Sequence, residues 1–245
     1  MLNERRSRWP KALHDHDQAI GSSTRSKPRM RAAVSTPAGE ARRRALLKKA
    51  EEMFLMHGFD SVSIDALIGE VGGSRRNVYD TFGGKEGLFE GVVSNLCEEY
   101  VRPIAELEIA ASPAREALID FADRLLTCVL EPRALALQRL MIAEAHRMPR
   151  VSHAIFSSGH QRVSTILAAW IVERQSDGIL RADLPPEELA DSFINIVITG
   201  AHLKALIGLT SRSSEPEDIR GIATRGTCLF IDGAQSGAGK ASREP

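Results

Sequence analysis

The sequence has no apolar run of membrane length, no CxxC pair, no internal repeat and no sustained strand-type alternation. Its most apolar stretch, FINIVITGAHLKALIGL over 193–209, is interrupted by Asn195, His202 and Lys204. It falls short of the ~20 residues a spanning helix needs, so no membrane partner is expected. The N-terminus is polar and charged, without the apolar core of a signal peptide. Cys97, Cys128 and Cys228 lie far apart in stretches of helical period, which argues against both a disulfide framework and a zinc site. Reduced, partly buried thiols in a cytoplasmic protein are the expectation.

Net charge is missing too, since 32 Lys/Arg balance 32 Asp/Glu. Taken alone, that balance argues against a nucleic-acid partner. The average hides a split: residues 1–85 carry 16 basic against 10 acidic side chains, and residues 86–245 carry 16 against 22. A front half of +6 and a rear half of −6 point to separate duties.

Also absent is any constellation for catalysis. His146, His153 and His160 recur at seven-residue spacing, but Pro149 and Gly159 interrupt the run, so a shared metal site is not expected. The HDHD run at His14–Asp17 reads as solvated side chains in a flexible arm. We therefore expect no enzyme, no cofactor and no metal.

What remains is helical periodicity on a chain apolar enough, at 43%, to pack a core. Residues 1–35 hold eight Lys/Arg without apolar period and read as a disordered basic arm. Thr36-Pro37 opens a helix with Leu46, Leu47, Ala50, Met53 and Phe54 on one face and Arg42, Arg43, Arg44, Lys48 and Lys49 opposite, ended by Gly58. Ser63 caps a second helix whose Ile64, Leu67, Ile68 and Val71 repeat at i, i+3, i+4, i+7, and Gly72-Gly73 breaks it. Ser74 opens a third, of about two turns, with Val78 and Phe82 inward. After Gly83-Gly84 the period resumes in Leu88, Phe89, Val92, Val93 and Leu96 as far as Pro103. Later segments, broken at Pro113, Pro132, Pro149, Asp177-Gly178, Pro185-Pro186 and Pro216, are helical by the same test, and residues 233–245 read as a loose tail.

Two short helices joined by a glycine turn form a helix-turn-helix. The leading turn of its second helix carries Arg75, Arg76 and Asn77. A recognition helix meets base edges with its first residues; arginine pairs bidentately with guanine and asparagine with adenine.

Phe54, Gly58, Phe59, Ser63, Leu67, Val71, Gly72, Ser74, Val78, Tyr79, Phe82, Lys85, Glu86 and Leu88 stand at offsets that resemble the DNA-binding domain of TetR-type transcriptional repressors, over residues 40–90. The resemblance implies that Arg43 and Ser63 touch phosphates and that Ser74, Arg75, Arg76, Asn77 and Tyr79 line the groove-facing side. It also sets Thr81 beside the DNA backbone and Lys85, at a helix start, on a phosphate. Gly73 replaces the usual small aliphatic residue of the turn, and Ile68 the usual alanine.

The rear half, with EAHRMPR, DGIL and LPPEELADSF, resembles the C-terminal domains of AefR-like repressors. Helical period along the chain predicts an all-α protein, and the two resemblances imply a three-helix DNA-binding domain at 36–84 and a helical ligand-binding and dimerisation domain at 85–232. One helix-turn-helix contacts too few base pairs, so a homodimer is expected to set two heads ~34 Å apart. Helices near 189–209, with Gly200, Ala201 and Ala205, and 216–231 are the candidate interface. Phe121, Leu125, Gln138, Met141, His146 and Trp170 are candidates to line a pocket for an apolar or amphipathic inducer. The expected function is a dimeric, sequence-specific regulator, a repressor released from operator DNA by that ligand. The alternative is a nucleoid or structural DNA-binding protein without an inducer.

Overall fold

A computed structural model describes residues 37–107, 112–209 and 218–234. The basic arm with its His14–Asp17 run, Thr36 and residues 235–245 lie outside the described residues. The helices are α1 (Pro37–Ser61), α2 (Ile64–Val71), α3 (Arg75–Phe82), α4 (Lys85–Ala105), α5 (Ala114–Val129), α6 (Pro132–Glu144), α7 (Pro149–Ile155), α8 (Arg162–Ser176), α9 (Pro186–Leu206) and α10 (Ile219–Ala234). No strand occurs among the described residues, and the all-α expectation holds. None of these helices is long and apolar enough to cross a membrane.

Helix α1 buries Leu47, Ala50 and Phe54 and leaves Arg42, Arg43, Arg44 and Lys48 exposed. Gly58, at φ 78°, interrupts it before Phe59 turns back into the core. There Phe54, Phe59 and Phe89 meet with ring centroids 5.0–5.7 Å apart, a range in which edge and offset contacts add to burial.

Two apolar cores share α4. Its first half (Leu88, Phe89, Val92, Val93, Leu96) closes the core of α1–α3, joined by Leu137, Met141, Met148 and Val151 from the rear half. Its last turns contribute Val101 and Ile104 to the second core, formed with α5, α8, α9 and α10. Pro103 does not stop α4, which continues to Ala105; its missing N–H removes one intrahelical bond, and only the end of the last turn follows it.

The joint between the cores is polar. Arg133 of α6 reaches the buried Glu51 of α1 and holds Glu99 of α4 at 3.0 and 3.2 Å. Burying Glu51 without that guanidinium would leave an uncompensated charge.

A π-helical segment (Phe156–Gln161) joins α7 to α8. Gly159, read from sequence as an interruption, sits inside that segment. Helix α10 also runs through Gly233 and Ala234, past the point where composition suggested a tail.

Candidate nucleic-acid interface and ligand cavity

Local chemistry sets the angle of the recognition helix. Ser63 Oγ caps α2 by accepting from the Ala66 N–H at 3.1 Å, and Ser74 Oγ caps α3 by accepting from the Asn77 N–H at 3.3 Å. Between them Gly72 and Gly73 take φ of 75° and 123°, a region that L side chains avoid. The aliphatic residue usual at position 73 would be strained in this turn. At the far end Gly83 is left-handed at φ 78°, and its N–H donates to the Tyr79 carbonyl at 2.8 Å.

The residues expected to contact DNA fall into two flanks and a crest. Arg43, Ser74, Asn77 and Thr81 line a shallow groove between α1 and α3, and the Arg43 guanidinium stands 5.6 Å from the Phe82 ring centroid. On the other flank, Arg75 reaches back to Asp65 of α2, two residues past Ser63. Tyr79, 55% exposed, lies over the Gly83-Gly84 corner so closely that a Cβ at Gly84 would be 3.3 Å from its ring. Lys85 donates to the Asp60 carbonyl at 3.2 Å and stands 4.3 Å from the Phe59 ring centroid. Arg76 occupies the crest, with Asp80 one turn on at 3.5 Å.

Sequence reading missed these carboxylates. Arg75 donates from Nε at 2.6 Å and from Nη2 to the two oxygens of Asp65, and these hydrogen bonds hold the Asp65 carboxyl below its ordinary range. Asp80 was legible from its i,i+4 spacing to Arg76; Asp65, ten residues from Arg75, was not.

Gly87 was missed as well. A Cβ there would lie 1.7 Å from the Phe82 carbonyl oxygen. Only glycine lets the first turn of α4 meet the end of the recognition helix this closely.

Helix α4 then runs to a cavity of about 420 Å³. Its wall takes Cys97, Tyr100, Val101 and Ile104 from α4, with further side chains from α5 to α9 and the π segment. Of the expected pocket residues, Leu125 and Gln138 line it. Phe121 and Trp170 are packed in the second core, Met141 in the first, and His146 lies on a turn after α6, away from the cavity. Helical period marks such side chains as buried without saying which side of the helix meets a void. Cys97, Ser152, Phe156, Gly159, His160 and His202 line the cavity in their place. Among the described residues no group of three or more His, Cys, Asp or Glu is set to hold a metal.

The small residues expected at the interface fall on two sides of α9. Ala201 and Ala205 are buried, 6% and 4% exposed, because they continue the Val197 stripe into the chain's own interior. The outward stripe of α9 is Ile196, Gly200 and Leu203, continued by Ile207 just past its end, and Leu229 of α10 is exposed as well.

Two family models match this arrangement. Residues 46–92 match the model for bacterial regulatory proteins of the tetR family, and residues 116–232 match the C-terminal domain of AefR-like transcriptional repressors. The chain belongs to the TetR family. As a TetR-family protein it is a DNA-binding transcriptional regulator, not an enzyme. It is 26% identical over 170 residues to the HTH-type transcriptional repressor ComR of Escherichia coli (strain K12), covering 68% of this chain and 80% of ComR. The flavonoid-responsive regulator FrrA superposes with a TM-score of 0.69 at 27% identity, over 80% of this chain and 98% of FrrA. A TetR-family structure from Mesorhizobium loti MAFF303099 gives 0.73 at 23% identity, over 82% of this chain and 99% of that one, which bears on fold alone.

Proposed function

We propose that this TetR-family chain is a dimeric, sequence-specific repressor that leaves its operator when a small apolar or amphipathic molecule occupies the cavity beside α4. The observation that carries the reading is the continuity of α4. One end of this helix lines the cavity, and the other begins with Lys85 and meets the recognition helix at Gly87. Because Gly87 leaves no slack, a shift of α4 moves α3 with it.

Ligand release is then a population shift. A molecule that fits the cavity better when α4 is displaced favours the dimer whose reading heads are wrongly spaced. Arg133 and Arg147 tie the same movement to α1 and to the Asp60 turn. FrrA is described as flavonoid-responsive and ComR as a repressor; both support the reading by relationship.

The dimer is built on the outward stripe of α9 and on α10. Ile196, Leu203, Ile207 and Leu229 are 47–72% exposed, an apolar load that a symmetric helix pair would cover.

Selection of genomic fragments by the purified chain tests this proposal. A palindromic fragment bound by two protomers, with sedimentation giving a dimer in free solution, is the expected result. Retention of fragments without a common sequence, or by a monomer, would overturn it.

A further inference from the structure

The described wall of the cavity is mostly apolar. Among its described lining residues there is no lysine, arginine, aspartate or glutamate. The polar groups that do face it are few: Gln138 from α6, His160 from the π segment and His202 from α9 carry most of its hydrogen-bonding capacity.

His160 has a partner of its own. Its Nε2 stands 3.5 Å from Asp191 Oδ1, which also accepts from Ser164 Oγ at 2.7 Å. Asp191 is not among the residues that line the cavity. His202 is shifted by burial toward the neutral form. Tyr100 donates its hydroxyl to Glu131, whose carboxylate also caps α6, so that acid is committed behind the wall.

We propose that the cavity takes an uncharged, mainly aromatic or aliphatic molecule with one hydrogen-bonding edge, received by Gln138, His160 and His202, and rejects carboxylates, phosphates and amines of equal size. This rests on the reading of the cavity as the effector site. An ion entering here would lose its water and gain no counter-ion. A hydroxyl or carbonyl would exchange water for protein partners, and an analogue lacking it would leave those partners unmet.

The probes are N-phenyl-1-naphthylamine, a neutral dye that brightens in apolar sites, and four competitors: 2-naphthol, naphthalene, 2-naphthoate and 2-naphthylmethylammonium. At pH 7, 2-naphthol should displace the dye at a concentration at least ~10-fold below that of either charged competitor. The double variant Gln138→Leu, His160→Phe, which leaves only His202 of the three, should bring 2-naphthol toward the level of naphthalene while the dye still binds. Leu125→Trp, which places an indole in the cavity, should weaken dye binding with the melting curve retained. Equal or tighter binding of 2-naphthoate, or a double variant without effect on 2-naphthol, would overturn the proposal, as would failure of the wild-type chain to bind the dye. If 2-naphthol binds as expected but leaves the selected operator fragment bound, the ligand class stands and the release reading falls. If 2-naphthoate binds best and releases the fragment, the release reading stands and the ligand class falls.

Discussion

Arg75 and Asp65 form a fork-to-fork pair across the helix-turn-helix, the guanidinium of the recognition helix meeting the carboxylate of the helix before it. Arg76 has a looser partner in Asp80, so both leading arginines are matched to acids before DNA arrives. A guanine that offers two acceptors can replace a carboxylate, whereas a single phosphate oxygen replaces it poorly. The double variant Asp65→Asn, Asp80→Asn should therefore tighten binding to unrelated DNA and lower the ratio of specific to non-specific affinity about tenfold. Fluorescence anisotropy on two duplexes reads that ratio, and the exposure of these side chains leaves the melting temperature unchanged.

Asp60 links the two halves. Arg147, after α6, donates to both its carboxylate oxygens at 2.7 and 3.1 Å, while Lys85 donates to its carbonyl. Lys85→Ala should weaken binding equally across sequences and lower the salt slope by about 1 per half-site. Arg147→Ala should keep the DNA affinity and reduce the ligand's effect on it. Titrations at several salt concentrations, with and without 2-naphthol, separate the two.

Gly87→Ala discriminates packing from propensity. On an exposed helix the change stabilises by up to ~1 kcal/mol. Here the methyl group would meet the Phe82 carbonyl, and overpacking of this kind costs about 1–3 kcal/mol. Urea unfolding should show a loss, accompanied by weakened operator binding as α3 is pushed from α4. A gain in stability would show that the two helices yield.

Cys97 is buried in the cavity wall, and burial pushes its thiol up from 9.0 to about 11. The fold favours the protonated form, so this contribution to stability is whole below pH 9.0 and declines as pH rises toward about 11. Alkylation of the Cys97 peptide by iodoacetamide, followed by mass spectrometry, should be slow at pH 7 and rise about tenfold per pH unit. Labelling at pH 7 as fast as that of free cysteine would contradict it.

The turns and caps were legible in sequence because each is decided within four residues: Ser63 and Ser74 cap their own helices, and Gly72, Gly73 and Gly83 take conformations that demand glycine. Contacts that depend on a second element were not. Asp65 becomes Arg75's partner only when the turn folds α3 back on α2, and Gly87 matters only against Phe82. The phase of α9 was misread because small residues mark close packing without saying against what, although Glu188, Ser192, Asn195 and Thr199 mark its exposed side; Ala201 and Leu203, two residues apart, face opposite ways. The cavity was half legible for the same reason. Period marks Phe121, Leu125 and Trp170 as inward, but the void appears only where the π segment brings Phe156, Gly159 and His160 against α4.

The most direct measurement is the affinity of the wild-type chain and of the Arg75→Ala, Arg76→Ala double variant for a selected genomic fragment and for unrelated DNA at one salt concentration. Wild type should prefer its fragment by ~10³ or more. The double variant should lose that preference while remaining folded by circular dichroism. A variant that still prefers the fragment as strongly as wild type would contradict the assignment of α3 as the reading helix.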